Sequence, residues 1–166
     1  KTSDGIWVCF HDDGNVNGLY YPNGQVVCQK SGNTYTYYAS DGTVIDNNAH
    51  PISDFTWNVL STFIYQGYYN IGDHVMSMEE YFAVCKRTNI HPVFSIHPDT
   101  PFTANAYSGF GEMRAMLIKY GLLDKVSIKW GYNSVFDTKY QRWLSRFGDD
   151  IENYIIIAPS STETVS

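Results

Sequence analysis

The chain has few cysteines, few basic residues and no long apolar run, and each shortage excludes a class of protein. Its three cysteines, Cys9, Cys28 and Cys85, are widely spaced and form no CxxC pair, which argues against a disulfide framework and a structural zinc site. Lys and Arg number 11 against 17 Asp and Glu, and they form no basic run, so we expect no nucleic-acid groove. No stretch approaches the roughly 18 consecutive apolar residues that a membrane span needs.

What is present favours a globular chain. Hydrophobic residues make up 43% of the 166 positions and charged residues 17%, and 14 tyrosines supply much of the aromatic content. This length predicts one domain with its own core. The chain begins at Lys1 rather than Met and enters an apolar run within a few residues, so we expect residues upstream of it in the natural protein.

The first third combines a strand-like run with a region rich in turns. Residues 6–10 are apolar and end abruptly in His11-Asp12-Asp13-Gly14, which is typical of a strand that leads into a polar loop. Between residues 17 and 46, short Tyr, Val and Thr runs are broken by turn residues about every ten positions, which predicts an antiparallel β-meander. Residues 53–63 are expected to hold a short helix.

The second half alternates predicted helices with predicted strands. Ser77 and Glu80 form a capping-box pattern at the start of one helix, and Gly121 stands where a left-handed residue would follow another. This alternation predicts a parallel sheet with crossover helices. The predicted helices cover residues 77–89, 113–120 and 137–147, and the predicted parallel strands cover residues 6–10, 93–96, 126–130 and 154–158. Four such strands form either a partial barrel or a smaller open α/β sheet, since a closed eight-stranded barrel typically needs about 250 residues.

Three stretches in order resemble one family. Residues 2–13 (TSDGIWVCFHDD) are similar to a T-x-D-G turn followed by a strand that ends in His-Asp, and residues 76–96 are similar to a P-T-x-E-E-x-L-x-L-C-K helix followed by a G-x-H-P-x-x-E-I strand. Residues 117–128 match the next helix and strand in order and spacing. These are the motifs of glycerophosphodiester phosphodiesterases. The resemblance implies an α/β fold across residues 1–166 as a single domain, a TIM-barrel-like (β/α) barrel that is partial here, with the meander of residues 17–46 as a small insertion.

Members of that family hydrolyse glycerophosphodiesters with Ca²⁺ or Mg²⁺, two catalytic histidines and three metal-binding carboxylates. The cation neutralises phosphate charge while one imidazole activates the attacking hydroxyl and the other protonates the leaving oxygen. His11 matches the second histidine. The motifs that carry the first histidine and two carboxylates are expected upstream of Lys1, and Ser95 stands in place of the third carboxylate. We therefore expect no Ca²⁺ or Mg²⁺ at the family's site in this chain, because a serine does not replace an ionised ligand.

The resemblance also names candidate site residues. His11 is the candidate catalytic residue and Asp13 a weaker candidate metal ligand, although His-Asp pairs are also common in plain surface turns. His97 replaces a family lysine that contacts phosphate, so it is a candidate for substrate binding. Lys129 and Trp130, near the end of a predicted strand, are candidates for contacting phosphate and glycerol, although Trp130 would equally suit packing.

Three functional hypotheses follow. The first is a glycerophosphodiester phosphodiesterase-like domain with degenerate or truncated activity. The second is a non-catalytic module that binds a polyol phosphate or a cell-surface glycan such as teichoic acid, since the tyrosines at residues 20–38 and 65–69 could stack on sugars as well as cover sheet faces. The third is a structural domain of a larger assembly. The expected partners are a glycerol-phosphate-type small molecule or polymer, and either the missing part of the barrel or another chain.

Overall fold

The computed structural model describes residues 1–10, 15–65, 73–96, 108–130 and 155–157 of the chain. The chain divides into two compact units, Lys1–Tyr81 and Phe82–Ser166, and each is described by itself.

The described part of the first unit contains short strands, one 3₁₀ turn at Ile52–Asp54 and one turn of α-helix at Trp57–Leu60. At the start of the α-helix the Trp57 N–H donates to the Asp4 carboxylate over 2.9 Å. The predicted helix within residues 53–63 is thus confirmed as a single turn. The elements are β1 (Val8–Cys9), β2 (Leu19–Tyr20), β3 (Cys28–Ser31), β4 (Thr34–Tyr38), β5 (Val44–Asp46), α1 (Trp57–Leu60), β6 (Ile64–Tyr65) and β7 (Met76–Ser77).

The predicted meander is confirmed as antiparallel. Strand β4 pairs with β3 on one side and with β5 on the other. The β3–β4 turn is two residues long, and its first residue, Gly32, has φ +60°, as a II′-type hairpin turn with glycine at that position requires. An Asx-type bond from the Thr43 N–H to the Asp41 carboxylate, 2.9 Å long, helps to close the β4–β5 turn.

The prediction that residues 6–10 form a parallel strand is wrong. Strand β1 pairs antiparallel with β7, in the register Val8 with Ser77 and Cys9 with Met76. The Met78 N–H extends this pairing by donating to the Trp7 carbonyl over 2.8 Å. An apolar run of five residues indicates a strand, but its partner and direction depend on which distant segment folds beside it.

The core of the first unit is assembled from distant parts of the sequence. The Phe63 ring meets the Tyr21 and Phe55 rings edge to face, with centroids 5.3 and 5.7 Å apart. The meander contributes the buried side chains of Val27 and Cys28 to this core. Its residues Tyr35 and Tyr37 are half-buried against the core and so cover a sheet face. The buried members are Val16, Leu19, Val27, Cys28, Ile52, Phe55, Leu60, Phe63 and Val75.

Helix α2 (Met78–Thr88) begins in the first unit and continues into the second. The predicted capping box is confirmed: the Ser77 hydroxyl accepts from the Glu80 N–H over 3.1 Å, and the Glu80 carboxylate accepts from the Ser77 N–H over 2.8 Å. The helix ends at Asn89, whose φ is +55°, and the Ile90 N–H donates back to the Cys85 carbonyl.

The rest of the second unit contains a parallel sheet and a helix. Sheet order is β10–β9–β8, both pairings are parallel, and β8 runs beside β9 from Val93 with Ser127 to Ile96 with Trp130. The parallel prediction is thus confirmed for three of its four strands. The predicted helix of residues 137–147 lies outside the described residues. The elements are β8 (Val93–Ile96), α3 (Ser108–Tyr120), a 3₁₀ turn (Leu123–Lys125), β9 (Ser127–Trp130) and β10 (Ile155–Ile157).

Helix α3 ends as the sequence predicted. Gly121 has φ +64°, a conformation in which a side chain is strained. The Gly121 N–H donates to the Ile118 carbonyl and the Leu122 N–H to the Leu117 carbonyl, which together make a Schellman motif. Leu117 and Leu122 are both fully or almost fully buried, so the motif also turns an apolar side chain back toward the helix.

Candidate functional site

A cleft of about 800 Å³ opens on the first unit beside strand β1. Its size lies within the range of small-molecule sites, roughly 300–1,000 Å³. The lining mixes aromatic, apolar and polar side chains: Cys9, Phe10, Trp57, Ser61, Tyr65, Asp73, His74, Val75, Met76 and Glu80.

Backbone pairing holds the sides of the cleft. Cys9 and Met76 are direct partners in the β1–β7 pair. The Tyr65 N–H donates to the Asp73 carbonyl over 2.9 Å, and Ile64 forms a β-bridge with His74. These bonds place Tyr65 beside Asp73 and His74, and all three residues line the cleft.

Helix α1 supplies Trp57 and Ser61 to the cleft, and a carboxylate from the start of the chain holds this helix in place. Asp4 accepts from the Trp57 N–H over 2.9 Å. Hydrogen bonds from the Thr2 side chain and then from the Trp57 N–H lower the pKa of Asp4 below its ordinary value. The ionised form of Asp4 is therefore the one that anchors the first turn of the helix.

The cleft presents three half-exposed rings and two carboxylates. Phe10 and Tyr65 have ring centroids 6.3 Å apart, and Trp57 is the third ring. The Glu80 carboxylate is used by the capping box. The Asp73 carboxylate is exposed and has no hydrogen-bond or ion-pair partner among the described residues. No Lys or Arg is among the lining residues in the described part of the chain.

A second cluster of ionisable groups joins β5 to the 3₁₀ turn. The His50 imidazole lies between two carboxylates, with Nε2 3.0 Å from Asp46 and Nδ1 3.3 Å from Asp54, and its ring lies 4.3 Å from that of Tyr37. A hydrogen bond from the Asn48 N–H, and next one from His50, lower the pKa of Asp46. The Asp46 and Asp54 carboxylates lie at opposite nitrogens of the His50 ring, so the three side chains cannot bind one metal ion together. The cluster instead ties β5 to the 3₁₀ turn.

Three of the predicted site residues, His11, Asp13 and His97, lie outside the described residues. Phe10, which lines the cleft, is the residue before His11 in the chain. The structure therefore brings the strand that leads to His11 to the cleft.

Lys129 and Trp130 lie in β9, where the structure describes their backbone. In the parallel register Lys129 is opposite Ser95, and Trp130 is opposite Ile96. Ser95, which the resemblance aligns with a metal-binding carboxylate, is thus the partner on the neighbouring strand of Lys129, a candidate for contacting phosphate.

Residue patterns do not single out Trp57 or Asp73 as site residues. Trp57 lies within the predicted short helix of residues 53–63, Asp73 belongs to no motif, and the density of rings is the only signal in this part of the chain. Tyr65 is among the tyrosines for which stacking on sugars and covering a sheet face are both open. Among the described residues no three His, Cys, Asp or Glu side chains are placed to hold a metal ion, and no described helix is long and apolar enough to cross a membrane.

Comparison of the chain with protein-family models, with curated proteins and with solved structures finds no match. The resemblance to glycerophosphodiester phosphodiesterases therefore stays an expectation from the three ordered sequence stretches.

Proposed function

We propose that this chain is a glycerophosphodiester phosphodiesterase-like domain whose hydrolase activity is weakened or lost. Three sequence stretches in order carry the proposal, and the first of them ends in His11-Asp12-Asp13. The cleft supports it, because Phe10, the residue before His11, lines the cleft. The fold of that family is a βα barrel, whose strands pair in parallel. The parallel strands β8, β9 and β10 are consistent with part of such a barrel.

The weakened activity is argued from the substitution at Ser95. A hard cation such as Ca²⁺ or Mg²⁺ takes several oxygen ligands, and carboxylates offset the cost of removing its hydration shell. A serine hydroxyl carries no charge at that position. His11 would act as general acid or base in any remaining hydrolysis, since an imidazole changes its charge near neutral pH.

The enzymatic hypothesis is tested on the full-length protein with glycerophosphocholine and glycerophosphoglycerol in the presence of Ca²⁺ or Mg²⁺. We expect little or no release of glycerol phosphate, and an increase in the Ser95→Glu variant that is lost when His11→Ala is added. Efficient, metal-dependent hydrolysis by the unmodified protein would show that the site is not degenerate. If Ser95→Glu releases no more glycerol phosphate than the unmodified protein, the serine at this position is not the cause of the weak activity.

A calorimetric titration of the 166-residue chain tests the metal site directly. We expect Ca²⁺ to associate no more tightly than on the order of millimolar, as for weak sites. A stoichiometric micromolar site that is abolished by Asp13→Ala would contradict this and would restore a metal-dependent mechanism.

A second candidate function is a non-catalytic module for a polyol phosphate or a cell-surface glycan. The rings of Phe10, Trp57 and Tyr65 favour it, because aromatic faces stack on sugar rings and catalysis does not need them. Binding of teichoic acid by the chain, without turnover and weakened by Trp57→Leu, is the expected result for this function. Absence of binding would exclude it.

The sheet of the second unit supports a further proposal about assembly. Strands β8 and β10 form the two edges of the described three-stranded sheet. In a barrel both edge strands of such a sheet would continue into further parallel strands. If the chain is part of a barrel, we expect it to associate with the remaining part or with another chain, and light scattering should show oligomers of the isolated 166 residues. A stable monomer would contradict this.

A further inference from the structure

We propose that the cleft of the first unit binds a quaternary ammonium group, such as the trimethylammonium group of choline. The proposal deepens the proposed function, on which it rests for the glycerophosphate part of the ligand. It names the head group that this chain prefers, and it assigns that head group to described residues: the rings of Phe10, Trp57 and Tyr65 and the carboxylate of Asp73.

The first step of the argument is the set of rings. A quaternary ammonium ion has no N–H to donate, so it is recognised by the negative faces of aromatic rings. The cleft presents three such rings from three elements, the end of β1, helix α1 and strand β6. The Phe10 and Tyr65 centroids are 6.3 Å apart and their planes are tilted by 41°, so the two rings are not stacked face to face on each other.

The second step is charge. Asp73 and Glu80 line the cleft, and none of its described lining residues is Lys or Arg. Asp73 is exposed and has no partner among the described residues, whereas Glu80 is held in the capping box. An anionic phosphate without a metal is repelled by this lining, and a cation is attracted. The phosphate of a glycerophosphodiester must therefore lie outside the ring-lined part of the cleft.

The third step is desolvation. The trimethylammonium group is bulky and weakly hydrated, and apolar Val75 and Met76 line the cleft beside the rings. Burying its methyl groups there is favourable, while glycerol, which has no ring face to stack, would leave hydroxyl groups without partners on those residues. The lining thus discriminates a cationic head group from glycerol.

The test is an NMR titration of the 166-residue chain with choline chloride, following the Trp57 indole N–H. Its neutral isostere, 3,3-dimethyl-1-butanol, and glycerol are titrated in parallel. The experiment is run at pH 8, where an ordinary imidazole is uncharged. We expect choline to bind at least about tenfold more tightly than the isostere, in line with a desolvated cation–π contact.

Variants separate the two contributions. Trp57→Leu should weaken choline binding about tenfold, and Asp73→Asn about threefold for choline but not for the isostere. Trp7→Leu and Asp124→Asn are the matched controls, because neither residue lines the cleft, and they should leave binding unchanged. For Trp57→Leu binding is followed on the choline methyl resonance, and Asp73→Asn, at an exposed side chain, tests the proposal without risk to the fold.

Equal binding of choline and its isostere would show an apolar pocket and overturn the proposal, as would binding of glycerol alone or of no ligand. The two proposals fail separately. Choline binding with no hydrolysis by either the full-length protein or its Ser95→Glu variant overturns the phosphodiesterase-like assignment only. Hydrolysis of glycerophosphoglycerol by the Ser95→Glu variant without choline binding overturns only the head-group assignment.

Discussion

The two units of this protein are built in different ways. In the described part of the first unit four of the seven strands have only two residues, and these seven strands pair antiparallel. Its buried side chains come from segments up to about sixty positions apart in the chain. In the second unit a helix of 13 residues lies between two strands of four residues that pair in parallel. Order in the first unit therefore depends on its aromatic core, whereas much of the second unit is specified within single elements.

The ends of the elements show the same contrast. Helices α2 and α3 each end in a backbone motif formed by residues five positions apart, Cys85 with Ile90 and Leu117 with Leu122. Strand β1, by contrast, is positioned by residues about seventy positions later in the chain, at β7. Local bonds form without long loop closure, while distant pairings cost chain entropy that the core must offset.

The largest expected effect tests whether the core orders the first unit. Phe63 is 2% exposed, and Phe63→Ala removes a ring that meets both Tyr21 and Phe55, so we expect a loss of about 3–5 kcal/mol in unfolding free energy. Hydrogen exchange should accelerate most in β3 to β5.

The reciprocal variant is Leu117→Ala in α3, which should cost about 2–5 kcal/mol and accelerate exchange most in β8 and β9. Leu117 is fully buried in the second unit. Equal acceleration in both units by either variant would show that they unfold as one cooperative body and would break the comparison.

A smaller loss of stability is expected when the backbone motif that ends α3 is disrupted. Gly121→Ala places a side chain at φ +64°, where its Cβ would also lie 3.3 Å from the Lys86 Nζ, so we expect a loss of about 1–2 kcal/mol. Gly111→Ala, in the interior of the same helix, should instead stabilise it by up to about 1 kcal/mol, because alanine has the higher helix propensity. Thermal unfolding measures both, and changes of the same sign would contradict the Schellman assignment.

Loss of the capping box of α2 should lower the free energy of unfolding by about 1 kcal/mol. Ser77→Ala removes the hydroxyl that accepts from the Glu80 N–H, and N-cap substitutions of this kind cost about 0.5–2 kcal/mol. The control is Glu79→Gln, at the neighbouring exposed position, which leaves the box intact. Denaturant unfolding that ranks Glu79→Gln as the more damaging change would argue against the box.

The smallest effect is a pH dependence in the first unit. Hydrogen bonds from the Asn48 N–H and then from His50 lower the pKa of Asp46 in the folded protein. The ionised carboxylate therefore stabilises the fold at any pH above its ordinary pKa of about 4, and this contribution is lost as the pH falls through the lowered pKa. The melting temperature should decrease on acidification below about pH 4, and less steeply in Asp46→Asn. Asn48→Ala keeps the backbone donor and should retain most of the dependence. An unchanged slope in Asp46→Asn would show that other groups cause the acid sensitivity.

Much of the candidate site was not predictable from residue patterns. The candidates were chosen from polar motifs at predicted strand ends, and His11, Asp13 and His97 lie outside the described residues. The cleft instead depends on Trp57, Tyr65 and Asp73, which come from a stretch without clear periodicity. A pattern of single residues carries no information on which rings will share a cavity, because that depends on how β1, α1 and β6 pack.

Features that involve a few neighbouring residues are readable from the amino-acid sequence: the turns of the meander, the capping box at Ser77 and the left-handed end of α3 at Gly121. These features depend on backbone sterics and hydrogen bonds over five or six positions. The alternation of helices and strands also predicts the parallel pairing of β8, β9 and β10. The antiparallel pairing of β1 with β7, and the grouping of three rings and an exposed carboxylate in one cleft, are visible in the folded structure alone. The physical reason is that strand pairing and cavity formation are chosen by burial of the whole unit, in which each short segment has several partners of similar local preference.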